Sequence, residues 1–379
     1  MTDSMILSCT LAVFLWPADS VFTSSPVLDL RVFATTLVNF PSEAPMLRRL
    51  RMFASAFLSL ALATFLFSNF ASAANVPTVS WSQLSPTTAP TARSYAAAAY
   101  DPVSKKIVVF GGFSSKGYLN ETWTFDGTNW VKVNASTAPP VRTNASMAYD
   151  KVSRKVVLFG GYNGQNYLGD TWLWDGSNST WTNANPAHAP KAVTGPMLFT
   201  DPANGHADAN GGFDGRLYQA TTYQWTGSDW QNLNPTTEAY ARSIAVAALD
   251  GAMTDVVMFD GLGDLNPYNT WTWDGTNWTM QSPTTQPPSR YGAPGAYDPP
   301  HKAVITFGGG EGGIDIGDTW AWTTAKNWVQ LTPTTSPTAR EGHNMVWDPV
   351  IGHVVLIGGQ SGPENNPTYL NDTWVLDPH

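Results

Sequence analysis

Cysteine is almost missing from this chain of 379 residues, and its single example, Cys9, lies near the start. The rest of the sequence therefore excludes disulfide bonds and a cysteine nucleophile. Basic residues are also few, because 20 Lys and Arg stand against 29 Asp and Glu, a formal net charge of −9. A nucleic-acid-binding surface needs a basic excess, so we expect no nucleic-acid partner.

The sequence after residue 74 also lacks any segment with the 3.6-residue apolar spacing of a helix. It consists instead of short runs rich in β-branched and aromatic residues, which are bounded by Gly, Pro, Asn or Asp. Lys155–Phe159 is one such run, and it ends at Gly160-Gly161. Runs of this kind are typical of strands, so the pattern predicts an all-β protein.

Six Trp residues recur at a spacing of about fifty residues, and they define an internal repeat. They are Trp81, Trp130, Trp181, Trp230, Trp278 and Trp328. A Gly pair such as Gly160-Gly161 and a triplet such as Asp170-Thr171-Trp172 recur in the same phase. Four short antiparallel strands per unit match the blade of a β-propeller. The sequence therefore predicts a six-bladed β-propeller of four-stranded antiparallel blades.

The Gly pair, the aromatic residue after it and the later Trp resemble the kelch family of repeats from Trp81 to the C-terminus. The resemblance implies the galactose oxidase central-domain-like superfamily. Galactose oxidase needs a Tyr–Cys cross-link for its copper chemistry, which the sequence after Cys9 excludes, and we predict no cofactor. The bacterial sialic-acid mutarotase, a secreted six-bladed kelch protein, is closer in size, but no residue-level motif carries its catalytic residues over.

The first and last units are incomplete in complementary ways. The chain opens the repeat with a lone fourth strand, Trp81–Leu84, and ends after a third strand that contains Trp374. We predict that Trp81–Leu84 completes the sixth blade beside Trp374, because an open sheet edge would invite aggregation.

Residues 46–73 have the features of a secretory signal peptide. Three Arg residues precede the apolar run Phe53–Phe67, and Ala71-Ser72-Ala73 is a small-residue cleavage site. We therefore expect a secreted protein, extracellular or periplasmic, with its propeller in residues 74–379 and no membrane span after signal removal. We interpret residues 1–45 as an upstream extension from a misassigned start; a genuine leader is the alternative.

One cationic residue per unit opens the predicted innermost strand, and these residues form the first candidate site. The set is Arg93, Arg142, Lys191, Arg242, Arg290 and Arg340. A ring of cations at the channel mouth suits a carboxylate-bearing ligand. The alternative is structural, because a residue present in nearly every unit usually serves the unit by bonding to adjacent loops. His343 joins these ligand-binding candidates, since most units have Ala at its position.

The third unit breaks the repeat and forms the second candidate site. Its second strand reads His206-Ala207-Asp208-Ala209-Asn210 where other units are apolar. Because side chains alternate along a strand, His206, Asp208 and Asn210 would share one face, which is costly unless they are paired or ligated. The alternative is an irregular blade with water-filled packing. One His and one Asp are too few to specify a metal, so no metal is predicted.

Variable loops join the second and third strands of every unit, and the topology places them on one face of the ring, here called the loop face. Variable loops on a rigid ring are where recognition usually resides. We therefore expect a monomeric, non-enzymatic protein that binds a protein or carbohydrate ligand through the loop face. The alternative is a small-molecule enzyme, such as a sialic-acid or sugar mutarotase, with its site at the channel mouth.

Overall fold

The computed structural model describes residues 79–251, 254–263 and 268–378. These residues form six four-stranded antiparallel sheets and two short two-stranded hairpins. Among them, no helix is long and apolar enough to cross a membrane. The predicted all-β, six-bladed propeller is confirmed. The predicted signal and upstream segments lie outside the described residues.

The strands follow the repeat, with one blade per unit. The chain begins with β1 (Val79–Gln83). The first blade contains β2 (Ala97–Asp101), β3 (Lys106–Phe110), the hairpin β4 (Phe113–Ser114) and β5 (Gly117–Tyr118), β6 (Thr122–Phe125) and β7 (Trp130–Val133). The second contains β8 (Ser146–Asp150), β9 (Lys155–Phe159), β10 (Thr171–Asp175) and β11 (Thr180–Asn183). The third contains β12 (Met197–Thr200), β13 (Ala207–Asn210), β14 (Thr222–Trp225) and β15 (Trp230–Asn232).

The remaining blades continue the same order. The fourth contains β16 (Val246–Asp250), β17 (Asp255–Phe259), β18 (Thr270–Trp273) and β19 (Trp278–Met280). The fifth contains β20 (Gly295–Asp298), β21 (Ala303–Phe307), the hairpin β22 (Gly310–Glu311) and β23 (Ile314–Asp315), β24 (Thr319–Trp322) and β25 (Trp328–Leu331). The sixth contains β26 (Asn344–Asp348), β27 (His353–Ser361) and β28 (Thr368–Pro378).

The core lies between adjacent blades. The apolar residues of β9 are buried on both faces of the strand, at 0 or 1% exposure from Val156 to Phe159. Val156 and Leu158 share a cluster with Val108 and Phe110 of the first blade. A blade between two neighbours leaves neither face to solvent, which explains why these strands are continuously apolar rather than alternating.

The ring is closed by β1, which pairs antiparallel with β28. Trp81 stands opposite Leu376, and Gln83 stands opposite Trp374. The predicted closure of the sixth blade by its N-terminal strand is therefore confirmed.

The recurring Trp of each outermost strand ties its blade to the preceding one. Its indole N–H donates to the Thr of the repeated triplet in the third strand of the preceding blade, and the six bonds run around the whole ring. They join Trp81 to Thr319, Trp130 to Thr373, Trp181 to Thr122, Trp230 to Thr171, Trp278 to Thr222 and Trp328 to Thr270, at 2.8 to 3.2 Å. The Trp and Thr positions of the repeat therefore serve contacts between blades.

Six backbone hydrogen bonds form a second closed circuit, which we call the belt, at the loop-face end of the central channel. The belt runs from N–H to carbonyl through Gly342, Gly292, Ile244, Gly195, Asn144 and Tyr95, and returns from Tyr95 to Gly342. All six residues have positive φ, between 44° and 65°. Ile244 adopts this conformation although β-branched residues disfavour it. The belt therefore imposes its geometry on the local sequence.

The central channel has a volume of about 510 Å³ and is lined mainly by small residues of the innermost strands, such as Ala97 and Ala148. Tyr100, Tyr149 and Trp347 also line it. A smaller cavity of about 110 Å³ lies among the belt residues.

Candidate functional site

The five arginines of the predicted cation ring are buried in the loops that precede the innermost strands. Arg93 lies four residues before β2, so the prediction that these residues open the strands is wrong. Each of the five is at most 4% exposed. Among the described residues, the linings of the channel and of the belt cavity include none of them.

Each of these arginines binds two backbone carbonyls and one side-chain acceptor, an arrangement that we call the arginine clamp. Arg142 Nε donates to the Pro140 carbonyl at 3.1 Å, and its Nη1 donates to the Gly160 carbonyl at 3.1 Å. The two Nη atoms also bind both oxygens of Asp170 at 2.8 and 2.7 Å. The Trp172 indole N–H donates to the same carboxylate at 2.7 Å. The repeated acid-Thr-Trp triplet therefore supplies the acceptor of a buried guanidinium.

The clamp recurs in four other blades with matching partners. They are Arg93 with Glu121 and Trp123, Arg242 with Asn269 and Trp271, Arg290 with Asp318 and Trp320, and Arg340 with Asp372 and Trp374. These contacts match the structural interpretation of the recurring cations. A ligand-binding role for the arginines stays a prediction, and few of their donors remain to support it.

The third blade lacks the clamp as a unit. The N–H of the second Gly in each Gly pair donates to a backbone carbonyl of the next blade. For the pair of the first blade this carbonyl belongs to Arg142, and for the pair of the second blade it belongs to Val193. Val193, not Lys191, therefore occupies the arginine position, and Thr221 and Tyr223 replace the acid and the Trp. Lys191 lies two residues earlier, is 65% exposed, and binds Asp214 at 3.0 Å.

The structure does not bring His206, Asp208 and Asn210 together as one site. His206 Nδ1 lies 2.9 Å from the buried Asp150 carboxylate of the second blade. The Asn210 amide donates to Ala220 and to Thr222, which also accepts from Trp278 of the fourth blade. The three side chains therefore have separate partners on both sides of the blade.

Asp208 is fully buried beside a second buried carboxyl, Asp201. Its Oδ1 accepts from the Gln224 amide at 2.9 Å, and Asp201 accepts from the Trp273 indole at 3.2 Å. Burial, and then the Asp201 carboxyl, raise the pKa of Asp208 from 3.8 to about 9. Asp208 is therefore protonated at neutral pH, as in other pairs of carboxyls that share a site.

Asp208→Asn is expected to stabilise the protein at neutral pH. The carboxyl titrates at 3.8 when unfolded and at about 9 when folded, so folding between these values requires proton uptake. Its contribution to stability is full below pH 3.8 and falls as the pH rises toward 9. At about 1.4 kcal/mol per pKa unit, proton uptake by Asp208 lowers the free energy of unfolding at pH 7 by at most about 4 kcal/mol. We expect Asp208→Asn to raise that free energy by about 2 kcal/mol.

Urea unfolding from pH 4 to pH 9 measures this effect, and the variant should show the weaker loss of stability with rising pH. Asp214→Asn is the matched control, because backbone N–H groups and Lys191 lower the pKa of Asp214 to about 2, the opposite direction. A wild-type stability that does not fall between pH 5 and pH 8 relative to Asp208→Asn would contradict the shared proton.

His343 is also buried, at 4% exposure, and it packs edge to face on Phe307 at 5.7 Å between ring centroids. Neither ring nitrogen forms a hydrogen bond of normal geometry with a described residue. Burial, and then the nearby Arg340 guanidinium, lower the pKa of His343 well below its usual range. His343 is therefore neutral at pH 7, and its predicted ligand-binding role stays a prediction.

Seven aromatic rings form a continuous row on the loop face, which we call the aromatic arc. In order, they are Tyr369, Phe113, Tyr118, Tyr162, Tyr167, Phe213 and Tyr218. Successive ring centroids are 4.8 to 6.0 Å apart, and every ring is partly exposed. The arc extends over the sixth, first, second and third blades.

The sequence already contains the signal for this arc. In three successive units an aromatic residue follows the Gly pair, and a Tyr follows five residues later, as in Phe113 and Tyr118. The Tyr118 ring reaches the next blade, where a Cβ on Gly164 would lie 2.5 Å from it. The recurring Tyr residues therefore contribute both to packing between loops and to an exposed surface.

Carboxylates of the fifth and sixth blades occupy the loop face near the Tyr369 end of the aromatic arc. Tyr291 donates to Glu364 at 2.9 Å, Gln360 donates to Glu341 at 2.8 Å, and Gly362 N–H donates to Asp315 at 2.6 Å. In the part of the chain that the structure describes, no group of three or more His, Cys, Asp or Glu residues is placed to hold a metal ion.

Comparison with known proteins agrees with the repeat structure. Residues 67–259 match the KLHDC2/KLHL20/DRC7 Kelch-repeats domain. A search of curated proteins finds no match to the chain. The family match covers half of the chain, and its Gly pairs and Trp residues lie at equivalent places in successive blades. The chain therefore belongs to the family of the KLHDC2/KLHL20/DRC7 Kelch-repeats domain.

Proposed function

We propose that this propeller is a non-enzymatic recognition module whose aromatic arc binds a protein partner. The observation that carries the proposal is the arc itself, a continuous row of partly exposed rings across four blades. Aromatic side chains are enriched at protein interfaces because they offer a large contact area at a low cost in conformational entropy. Kelch propellers commonly act as protein-interaction scaffolds, which supports the same function.

The packing of the arc supports binding because its rings are held before a partner arrives. Phe113 contacts both Tyr118 and Tyr369, and Tyr167 contacts both Tyr162 and Phe213. A surface already ordered in the free protein loses little further entropy on binding. A carbohydrate is the second candidate ligand, since exposed rings also stack on sugars.

The alternative function, a sugar mutarotase, has less support from the channel mouth. The belt cavity is lined mainly by Gly, Ala and Pro, with Tyr95 and His343 as titratable side chains. A general base needs a partner that orients it, and His343 has no hydrogen bond of this kind. The clamped arginines would have to give up buried contacts to hold an anionic sugar.

Export is part of the proposal, and it rests on the signal-like residues 46–73. A partner would then be met outside the cytoplasm. N-terminal sequencing of the secreted protein tests this point, and a chain that begins at Ala74 is the expected result.

Replacing Tyr118 and Tyr167 together by Ser is expected to abolish partner binding while the fold is kept. Removal of a central interface aromatic typically costs 2 kcal/mol or more, about a 30-fold loss of affinity. The measurement is capture of extracellular proteins on the immobilised propeller, followed by titration of each captured protein and, in parallel, of a glycan array.

Val131→Ser is the matched control, because Val131 is 51% exposed but lies on the outermost strand β7, away from the loop face. It should leave binding unchanged. If the double Tyr variant keeps its full affinity for every captured protein, the arc is not the binding surface. If the variant loses only glycan binding, the partner is a carbohydrate and not a protein.

A further inference from the structure

The missing clamp of the third blade leaves a cavity of about 200 Å³ between the second and third blades. Its lining includes Phe159, Val193 and Tyr223 as apolar walls, and Lys191, Gln219 and Thr221 as polar groups. Val193 stands at the arginine position and Thr221 at the acid position. The cavity therefore lies in the space that a guanidinium and its carboxylate fill in the other blades.

Two acceptors of the clamp are backbone carbonyls, so they persist in the third blade, whereas the side-chain acceptor does not. In the second blade the guanidinium binds the carbonyl of the first Gly of the pair and the carbonyl two residues before the arginine. The equivalent carbonyls in the third blade belong to Gly211 and Lys191, and both residues line the cavity. The side chain of Val193 cannot donate to either of them.

We propose that this cavity binds a guanidinium group, supplied by a small guanidino compound or by an arginine side chain of a partner. In each of the five sister blades a guanidinium binds the two equivalent backbone carbonyls, together with a side-chain acceptor whose position Thr221 occupies in the third blade. The inference does not depend on the aromatic arc, and it concerns a different set of residues.

The charge around the cavity is compatible with a cation. In the fourth blade, Arg242 is held at 0% exposure although the acid position is the neutral Asn269, at 2.7 Å. There the Asp260 carboxylate supplies a nearby negative charge. In the third blade Asp214 accepts from two residues that line the cavity, Gln219 and the exposed Lys191, at 3.1 and 3.0 Å. Lys191 therefore competes with an incoming cation for Asp214.

Titration with methylguanidinium, followed by calorimetry or ligand-observed NMR, tests the proposal on the wild-type protein. A ligand of so few atoms is expected to bind with a Kd on the order of 1 mM. Methylammonium and methylurea are the matched probes, because the first has the charge without the planar fork and the second has the planar shape without the charge. Neither should bind.

Variants of the cavity give the sharper test. Thr221→Asp restores the carboxylate and should tighten methylguanidinium binding about tenfold, as charge-assisted bidentate pairs do. Lys191→Met removes the competing cation and should also tighten binding. Val193→Arg combined with Thr221→Asp rebuilds the sixth clamp and should abolish binding.

The proposal fails if the rebuilt variant binds methylguanidinium as well as wild type does, because binding would then lie elsewhere. If the rebuilt variant does not fold, the proposal fails when Thr221→Asp and Lys191→Met both bind methylguanidinium with the wild-type affinity. Agmatine and a blocked Gly-Arg-Gly peptide distinguish the two sources of the ligand. Tighter binding of agmatine identifies a small guanidino compound, and tighter binding of the peptide identifies the arginine side chain of a partner.

Discussion

Trp81→Ala is expected to destabilise the propeller by about 4 kcal/mol and to open the ring at one seam. Trp81 is 1% exposed, packs on Phe307 at 5.6 Å and donates to Thr319 at 3.2 Å. Removing a buried Trp costs 3 to 5 kcal/mol from lost burial and the cavity left behind. Because β1 is joined to the propeller at only one end, its loss should expose the edge of β28 and promote aggregation.

Trp130→Ala is the matched control for ring opening. Trp130 is equally buried and makes the same bond, to Thr373 at 3.0 Å, but its strand β7 continues into the second blade. Urea unfolding should give similar losses of stability for the two variants. Limited proteolysis should cleave the segment on the N-terminal side of Arg93 only in Trp81→Ala. Ser82→Ala on the exposed side of β1 should change stability by less than about 0.5 kcal/mol. Equal protection of the two Trp variants from protease would contradict closure by β1.

Arg142→Met is expected to cost about 3 kcal/mol of stability, although the substituted residue is one of five similar arginines. The change leaves the Asp170 carboxylate, 28% exposed, without its bidentate partner, and leaves the Gly160 carbonyl without a donor. Breaking a buried pair by removing one partner typically costs 3 to 5 kcal/mol, and the partial exposure of Asp170 places this case at the lower end. Thermal and urea unfolding measure the loss.

Lys191→Met applies the same substitution to the cation that lies outside the clamp. An exposed ion pair contributes about 0 to 1 kcal/mol, so the expected change is small. If both Met variants lose the same amount of stability, the burial of the arginine does not determine its contribution. If neither is destabilised while binding of an acidic ligand falls, the arginines are ligand groups, as the cation ring first suggested.

The architecture was predictable because the fixed spacing of the repeat aligns each unit with the others. Trp81 and Trp374 sit at fixed offsets, so the missing fourth strand of the sixth blade could be identified from the sequence. The clamp was only partly predictable, because its guanidinium and carboxylate are contributed by different loops of one blade. Lys191 was assigned to the arginine position because it is the nearest cation, whereas the backbone pairing of Val193 determines the equivalence.

Other features could not be predicted because they do not depend on side-chain type. The belt is formed by backbone groups of Gly, Tyr, Asn and Ile residues, which lie two residues after each arginine position but share no side-chain type. His206 bonds to Asp150 of the neighbouring second blade, whereas Asn210 bonds to Ala220 and Thr222 of its own blade, so strand alternation alone suggested a common site that the packing divides. The cavity of the third blade requires the loss of two clamp side chains together, with Val193 at the arginine position and Thr221 at the acid position.

The belt also provides a set of internal reporters of how the ring opens. Its six amides share one conformation and one kind of acceptor, yet each lies at a different junction between blades. The rate of hydrogen–deuterium exchange at each amide therefore measures the opening of one junction against five equivalent references. The Tyr95 amide reports the junction between the first and sixth blades, beside the blade that the chain closes without a covalent link.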